Sequence, residues 1–137
     1  MNEQQNTAVI KQAYAAFGRG DIPALLALVD ENVDWQPVLG AGPEVPASGR
    51  RRGRAEVGHF FELLGKSTSF SVFDPREFVA QGDKVVALGH YTAKAIPTGG
   101  AFDSDWVMVF TLKNGKVVKF AEFSDSAQLN RAFGGKK

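Results

Sequence analysis

The chain has 137 residues, enough for one hydrophobic core without covalent staples, and no cysteine, which excludes disulfides, thiolate metal sites and a cysteine nucleophile. Its 16 lysines and arginines nearly balance 15 aspartates and glutamates, so no basic face for nucleic acid and no acidic tail dominates the electrostatics. Apolar runs are short and broken by charge, and Met1 to Gln5 is too polar for a secretion signal. The expectation is a single cytoplasmic domain over residues 1–137, with neither a membrane nor a nucleic-acid partner.

Hydrophobic spacing gives the elements in order. Val9, Ile10, Ala13, Tyr14 and Phe17 make one helical stripe, ended by Gly18 and Gly20. Asp21 is the N-cap of a short second helix, with Pro23 in its first turn and an apolar face of Ala24, Leu25, Leu28 and Val29. Val33 to Pro37 reads as a brief strand, and Leu39 to Gly49 as a loop of glycines and prolines with no regular period. Gly53 to Leu64 is helical again through Val57, Phe60, Phe61 and Leu64, and Gly65 is its expected stop. Strands follow at Ser67 to Phe73 and Glu77 to Ala80, split by Asp74-Pro75, and then at Lys84 to Ile96, Phe102 to Leu112 and Val117 to Phe123. Tight turns join them, so the rear half is an antiparallel meander and the whole is α+β.

Acidic residues interrupt the last two strands at Asp103, Asp105 and Glu122. A carboxylate on a buried strand face is costly unless it has a partner or a use, which points to a pocket. Eleven phenylalanines, two tryptophans and two tyrosines can fill a core or wall a site for flat apolar ligands. With only His59 and His90 available, no multi-histidine metal site can form, and His59 falls at the edge of its helical stripe. Arg50-Arg51-Arg52-Gly53-Arg54 lacks interleaved aromatics and reads as a solvated loop rather than a phosphate site.

The order helix, Gly20-Asp21, helix, Val33-Asp34-Trp35, Gly53-Arg54, Asn114-Gly115-Lys116-Val117 and Glu122-Phe123-Ser124-Asp125 resembles the SnoaL-like group of the nuclear-transport-factor-2-like superfamily, which includes ketosteroid isomerases. The resemblance implies a curved antiparallel sheet wrapped around N-terminal helices, forming a cone with an internal pocket. It also implies a homodimer through the outer sheet face, where Val85, Ala87 and Tyr91 would otherwise be exposed. Fold analogy leaves the chemistry open, because the superfamily includes isomerases, cyclases, hydrolases and non-catalytic binders.

Strand parity separates Val86, Leu88, His90 and Thr92 from Val85, Ala87, Gly89 and Tyr91, and groups Val118, Phe120, Glu122 and Ser124. Pairing by resemblance to ketosteroid isomerases puts the His90 and Glu122 sets on the cavity side, where they would form an acid/base couple. Asp105 is a third catalytic candidate, although an unbulged strand cannot turn both Asp105 and Trp106 inward. Where similar cyclases carry a histidine this chain has Met108, and where the isomerases carry their base it has Gln36. Two readings follow. In one, a mostly apolar, cyclic or carbonyl-bearing small molecule undergoes proton transfer at Glu122, with His90 or Asp105 orienting it and no cofactor required. In the other, the cone is a binding or assembly module without turnover. The candidate ligand wall in both is Tyr14, Phe17, Trp35, Phe60, Leu88, Trp106, Met108 and Phe120.

Overall fold

The structure, a computed structural model, describes residues 2–134. Helix α1 (Glu3–Gly18) opens on a capping box, in which the Asn2 side chain accepts from Gln5 N–H and the Gln5 side chain accepts from Asn2 N–H. Two donors that a helix start leaves free are thereby satisfied. Asp21 caps α2 (Ile22–Leu26) by accepting from Ala24 N–H, as its sequence suggests. The helix ends earlier than its apolar face implies, because Val29 is taken by the sheet. It opens β1 (Val29–Gln36), where it lies beside Val117, while Leu28 C=O accepts from Val117 N–H.

The two-residue β2 (Arg51–Arg52) pairs with β1, and α3 (Arg54–Ser67) follows. Gly65 does not stop α3. The helix continues to the buried Ser67, and Thr68 turns directly into extended backbone to begin β3 (Thr68–Gln81). That strand is continuous through Asp74-Pro75, contrary to the expected split. Its ladder skips a residue between Phe70 and Val72 and again between Pro75 and Glu77. As an edge strand it tolerates a proline, whose missing N–H costs no interior ladder bond. The chain then runs through β4 (Lys84–Ala95), β5 (Ala101–Lys113), β6 (Lys116–Phe123) and a further helix, α4 (Ser126–Ala132).

Six strands form one curved sheet in the order β2-β1-β6-β5-β4-β3, with β1 parallel to β6 and the other ladders antiparallel. Helices cover its concave face, and Ile10, Val33, Val57, Val85 and Val117 are fully buried between the layers. Each such side chain contributes about 1.5–3 kcal/mol through burial. No helix among the described residues is long and apolar enough to cross a membrane.

Gly89, in the middle of β4, is packed too closely for any side chain. It pairs with Trp106 on one side and Pro75 on the other, and a Cβ there would lie 2.3 Å from Trp106 Cζ2 and 2.5 Å from the Asp74 carbonyl oxygen. The indole lies where that side chain would be, only 1% exposed.

The convex face carries two apolar rows, read directly from the register. Val79, Val86, Val109 and Ala121 are paired across four strands, and beside them Leu88, Val107 and Phe123. Val79 is 58% and Phe123 46% exposed.

Candidate active site in the cone

The concave face and helices enclose a cavity of about 100 Å³. Tyr14, Phe17, Trp35, Phe60, Met108 and Phe120 all line it. Trp106 lies behind that wall, tilted against Tyr14 and stacked on Phe73. Leu88 belongs to the convex face and does not reach the cavity. Trp35 stacks on Phe120 with ring centroids 4.0 Å apart, and its indole N–H, like that of Trp106, is buried without a protein acceptor.

Among the described lining residues Glu122 is the single carboxyl, and lysine, arginine and histidine are absent. The carboxyl is brought inward by a bulge. The β5–β6 ladder shifts between Thr111–Lys119 and Leu112–Val117, leaving Val118 unpaired. Without that extra residue, alternation from the buried Val117 would turn Lys119 inward and Glu122 outward. With it, Phe120 and Glu122 face the hollow and Lys119 faces solvent. Val118 thus drops out of the face that parity alone assigned to it.

Glu122 is 7% exposed, and Oε2 accepts a 2.8 Å hydrogen bond from the Tyr91 hydroxyl. Loss of solvent raises its pKa from 4.5 to about 7, the Tyr91 hydrogen bond opposing part of that shift. Both carboxyl forms are therefore populated near neutrality. Burial, and secondarily the charge of Glu122, pushes the Tyr91 and Tyr14 hydroxyls far up, so both remain protonated donors. The Tyr14 hydroxyl donates to Met108 Sδ at 3.0 Å, and Met108 sits opposite Glu122 in the ladder. A thioether is a weak acceptor that a ligand oxygen can displace.

The expected His90–Glu122 couple does not form. His90 and Asp105 are on the convex face, as is Asp103, because β4 turns Val85, Ala87 and Tyr91 inward and Val86, Leu88, His90 and Thr92 outward. His90 Nδ1 lies 2.8 Å from Asp105 Oδ1, and Nε2 lies 2.5 Å from Asp103 Oδ1. These carboxylates, Asp105 foremost, raise the imidazole pKa, and the Thr92 hydroxyl with His90 lowers that of Asp103. The cluster is an ionic clasp between β4 and β5, remote from the cavity. Since Val85, Ala87 and Tyr91 are inside, they cannot form the outer surface assigned to them. The arginine run is also structural: Arg50 pairs with Asp34, Arg51 donates to the Ser48 and Gly49 carbonyls, and Arg54 donates to the Val29 carbonyl.

Sequence reasoning missed two parts of the site. Tyr91 is one, and the periodic placement of Val85 and Ala87 two strand steps apart with Tyr91 was the available signal for an inward face. The other is α4, where Asp125 caps the helix by accepting from Gln128 N–H, and Leu129 with Phe133 walls the cavity. The expected loop between Leu39 and Gly49 carries Val45 and Ala47 into the same wall. Asn130 of α4 holds it by accepting from Gly42 N–H and donating to the Gly40 carbonyl.

Comparison with known proteins places this geometry in a family. The SnoaL-like domain model matches residues 10–120. An NTF2-like protein from Burkholderia xenovorans LB400 is 33% identical, with 98% of this chain and 99% of that one covered and a TM-score of 0.87. An NTF2-like protein from Burkholderia pseudomallei K96243 is 27% identical over 98% of this chain and 100% of that one, with a TM-score of 0.82. TerC, co-crystallised with polyporic acid, is 25% identical over 94% and 98% of the two chains, with a TM-score of 0.79. No curated protein matches the chain. The cone fold and these similarities show that the chain belongs to the SnoaL-like domain family, within the NTF2-like group.

Proposed function

We propose that the cone binds a small, mostly apolar, ring-bearing carbonyl compound and that Glu122 moves a proton to or from the carbon beside the carbonyl. One observation carries this reading: a solvent-shielded carboxyl, with its pKa raised to about 7, is the lone acid among the described residues of an aromatic-walled cavity. As base, Glu122 takes the C–H proton while the electron pair moves to the carbonyl oxygen. The developing oxyanion is stabilised by an O–H donor held at the site. Tyr14 fits that role because its present acceptor is only a thioether sulfur. The cavity, about 100 Å³, is closer in size to the ~150 Å³ apolar cavity that accepts benzene than to a drug-sized pocket. A single ring is therefore the natural occupant, and the similarity to TerC supports a small-molecule ligand.

The test uses cyclohexanone as probe, with NMR following exchange of its α-hydrogens in deuterated water. Glu122→Gln is expected to reduce protein-dependent exchange by about 10²–10⁴-fold, the usual contribution of a positioned acid/base, with affinity changed by no more than about threefold. Exchange equal to wild type rejects Glu122 as the base. A second reading, ligand binding without turnover, is favoured by Met108, which stands where similar cyclases carry a histidine. Tight cyclohexanone binding with exchange no faster than in buffer supports that alternative.

The convex face supports a homodimer. The exposed Val79 and Phe123 join half-buried Val86, Leu88, Val107 and Val109 in an apolar patch bordered by the His90 clasp. A two-fold pairing of such sheets would remove it from water.

A further inference from the structure

A carboxyl enclosed by apolar walls needs a path by which its proton exchanges with solvent. Around Glu122 the polar atoms form one short chain: Glu122 Oε2, the Tyr91 hydroxyl at 2.8 Å, and Ser124 Oγ a further 2.7 Å on. Tyr91 is 3% exposed, whereas Ser124, just beyond the end of β6, is partly exposed. A phenol has one proton for two partners. When Glu122 is ionised, Tyr91 donates to it and accepts from Ser124. When Glu122 is protonated, the bonds can reverse, with Glu122 donating to Tyr91 and Tyr91 to Ser124. The nearby Ser104 hydroxyl cannot replace Ser124 in this chain, since it donates to the Asp105 carbonyl and accepts from Asp125 N–H.

We propose that Tyr91 and Ser124 are a proton path between the cavity carboxyl and bulk water, with Ser124 as its outer terminus. This rests on reading Glu122 as a proton-transfer group. On release, the Glu122 O–H bond breaks as its proton bonds to the Tyr91 oxygen. The original Tyr91 proton bonds to Ser124 Oγ, and the original Ser124 proton passes to a solvent water. Tyr91 and Ser124 each end with one proton, Glu122 ends as a carboxylate, and one hydronium appears outside. Uptake is the reverse. Among the described residues, Tyr14 from α1 and Tyr91 from β4 are the titratable groups facing Glu122, and neither ionises near neutrality because burial pushes both hydroxyls up. A carboxyl poised near neutrality can use the path in both directions.

Infrared spectroscopy after a rapid pH jump, without substrate, measures the rate at which the Glu122 carboxyl band grows, the band being assigned by its loss in Glu122→Gln. Ser124→Ala is expected to slow protonation by about tenfold or more, and Ser124→Thr, which keeps a hydroxyl, to stay within about twofold of wild type. An unchanged rate in Ser124→Ala overturns the proposal, because the proton then reaches Glu122 through the cavity mouth. A Ser124→Thr variant as slow as Ser124→Ala overturns it too, since the lost feature would be packing rather than the hydroxyl. Cyclohexanone exchange remains a separate test of Glu122 as base, so a blocked path and a misassigned base give different results.

Discussion

Glu122 ties the stability of the fold to pH through a single proton. Its pKa is 4.5 in ordinary surroundings and about 7 in the fold, so between those values the folded chain holds a proton that the unfolded chain has released. Stability must then fall as pH rises across that window and level off above it, because linkage follows the difference in bound protons. The cumulative loss is on the order of 3 kcal/mol, at about 1.4 kcal/mol per pKa unit. Glu122→Gln keeps the shape and lacks the titration. Urea unfolding from pH 4.5 to 8 is expected to show a steeper downward slope in wild type than in the variant, which becomes the more stable protein at pH 8. Parallel profiles would show that Glu122 is solvated. His90 titrates in both proteins: its raised pKa gives a contribution that is full below the ordinary imidazole value and lost as pH rises through the folded one. The comparison of the two profiles therefore isolates Glu122.

Among the elements, Gly89 lets the Trp106 indole lie against β4, and the Val118 bulge sets the orientation of the acid. Gly89→Ala puts a methyl into the Trp106 ring and the Asp74 carbonyl. Because a backbone oxygen cannot rotate away, a loss of about 3 kcal/mol or more in denaturant unfolding is expected. A loss under about 1 kcal/mol would mean that the strands shift easily to make room. These elements also show how far the sequence could be read. The α1 stripe, the Asp21 cap and the β4–β5 and β5–β6 turns were legible because periodicity and capping are local. The bulges were not, since a skipped residue is visible only against its partner strand. His90 was misplaced for a related reason: pairing by resemblance overrode the plainer indication that the set with His90 and Thr92 is the more polar face. Continuing the register outward from the Pro97-to-Gly100 turn brings His90 opposite Asp105 and Thr92 opposite Asp103, as the ladder has it. The four residues share one face, so His90 and Asp105, each expected at the cavity, lie on the opposite side of the sheet.

For the whole molecule, one curved sheet provides a hollow on one face and an apolar patch on the other. If the patch joins two copies, Leu88→Lys with Val109→Lys places charge in the middle of it, next to residues paired across the strands. Sedimentation at about 10 µM, a concentration at which micromolar association is detectable, is expected to show a dimer for wild type and a monomer for the double variant. A wild-type monomer would reject the interface, and the cavity would then belong to a single chain. The cavity was anticipated from acids placed within apolar strands, but only Glu122 of the three enters it, because inward orientation depends on the Val118 bulge rather than composition. A desolvated Glu122 carboxyl will report its own protonation in a ¹³C NMR titration of the side-chain carboxyl, assigned with Glu122→Gln. A midpoint at about 7 is predicted, and a midpoint at the ordinary 4.5 would mean that the carboxyl is solvated.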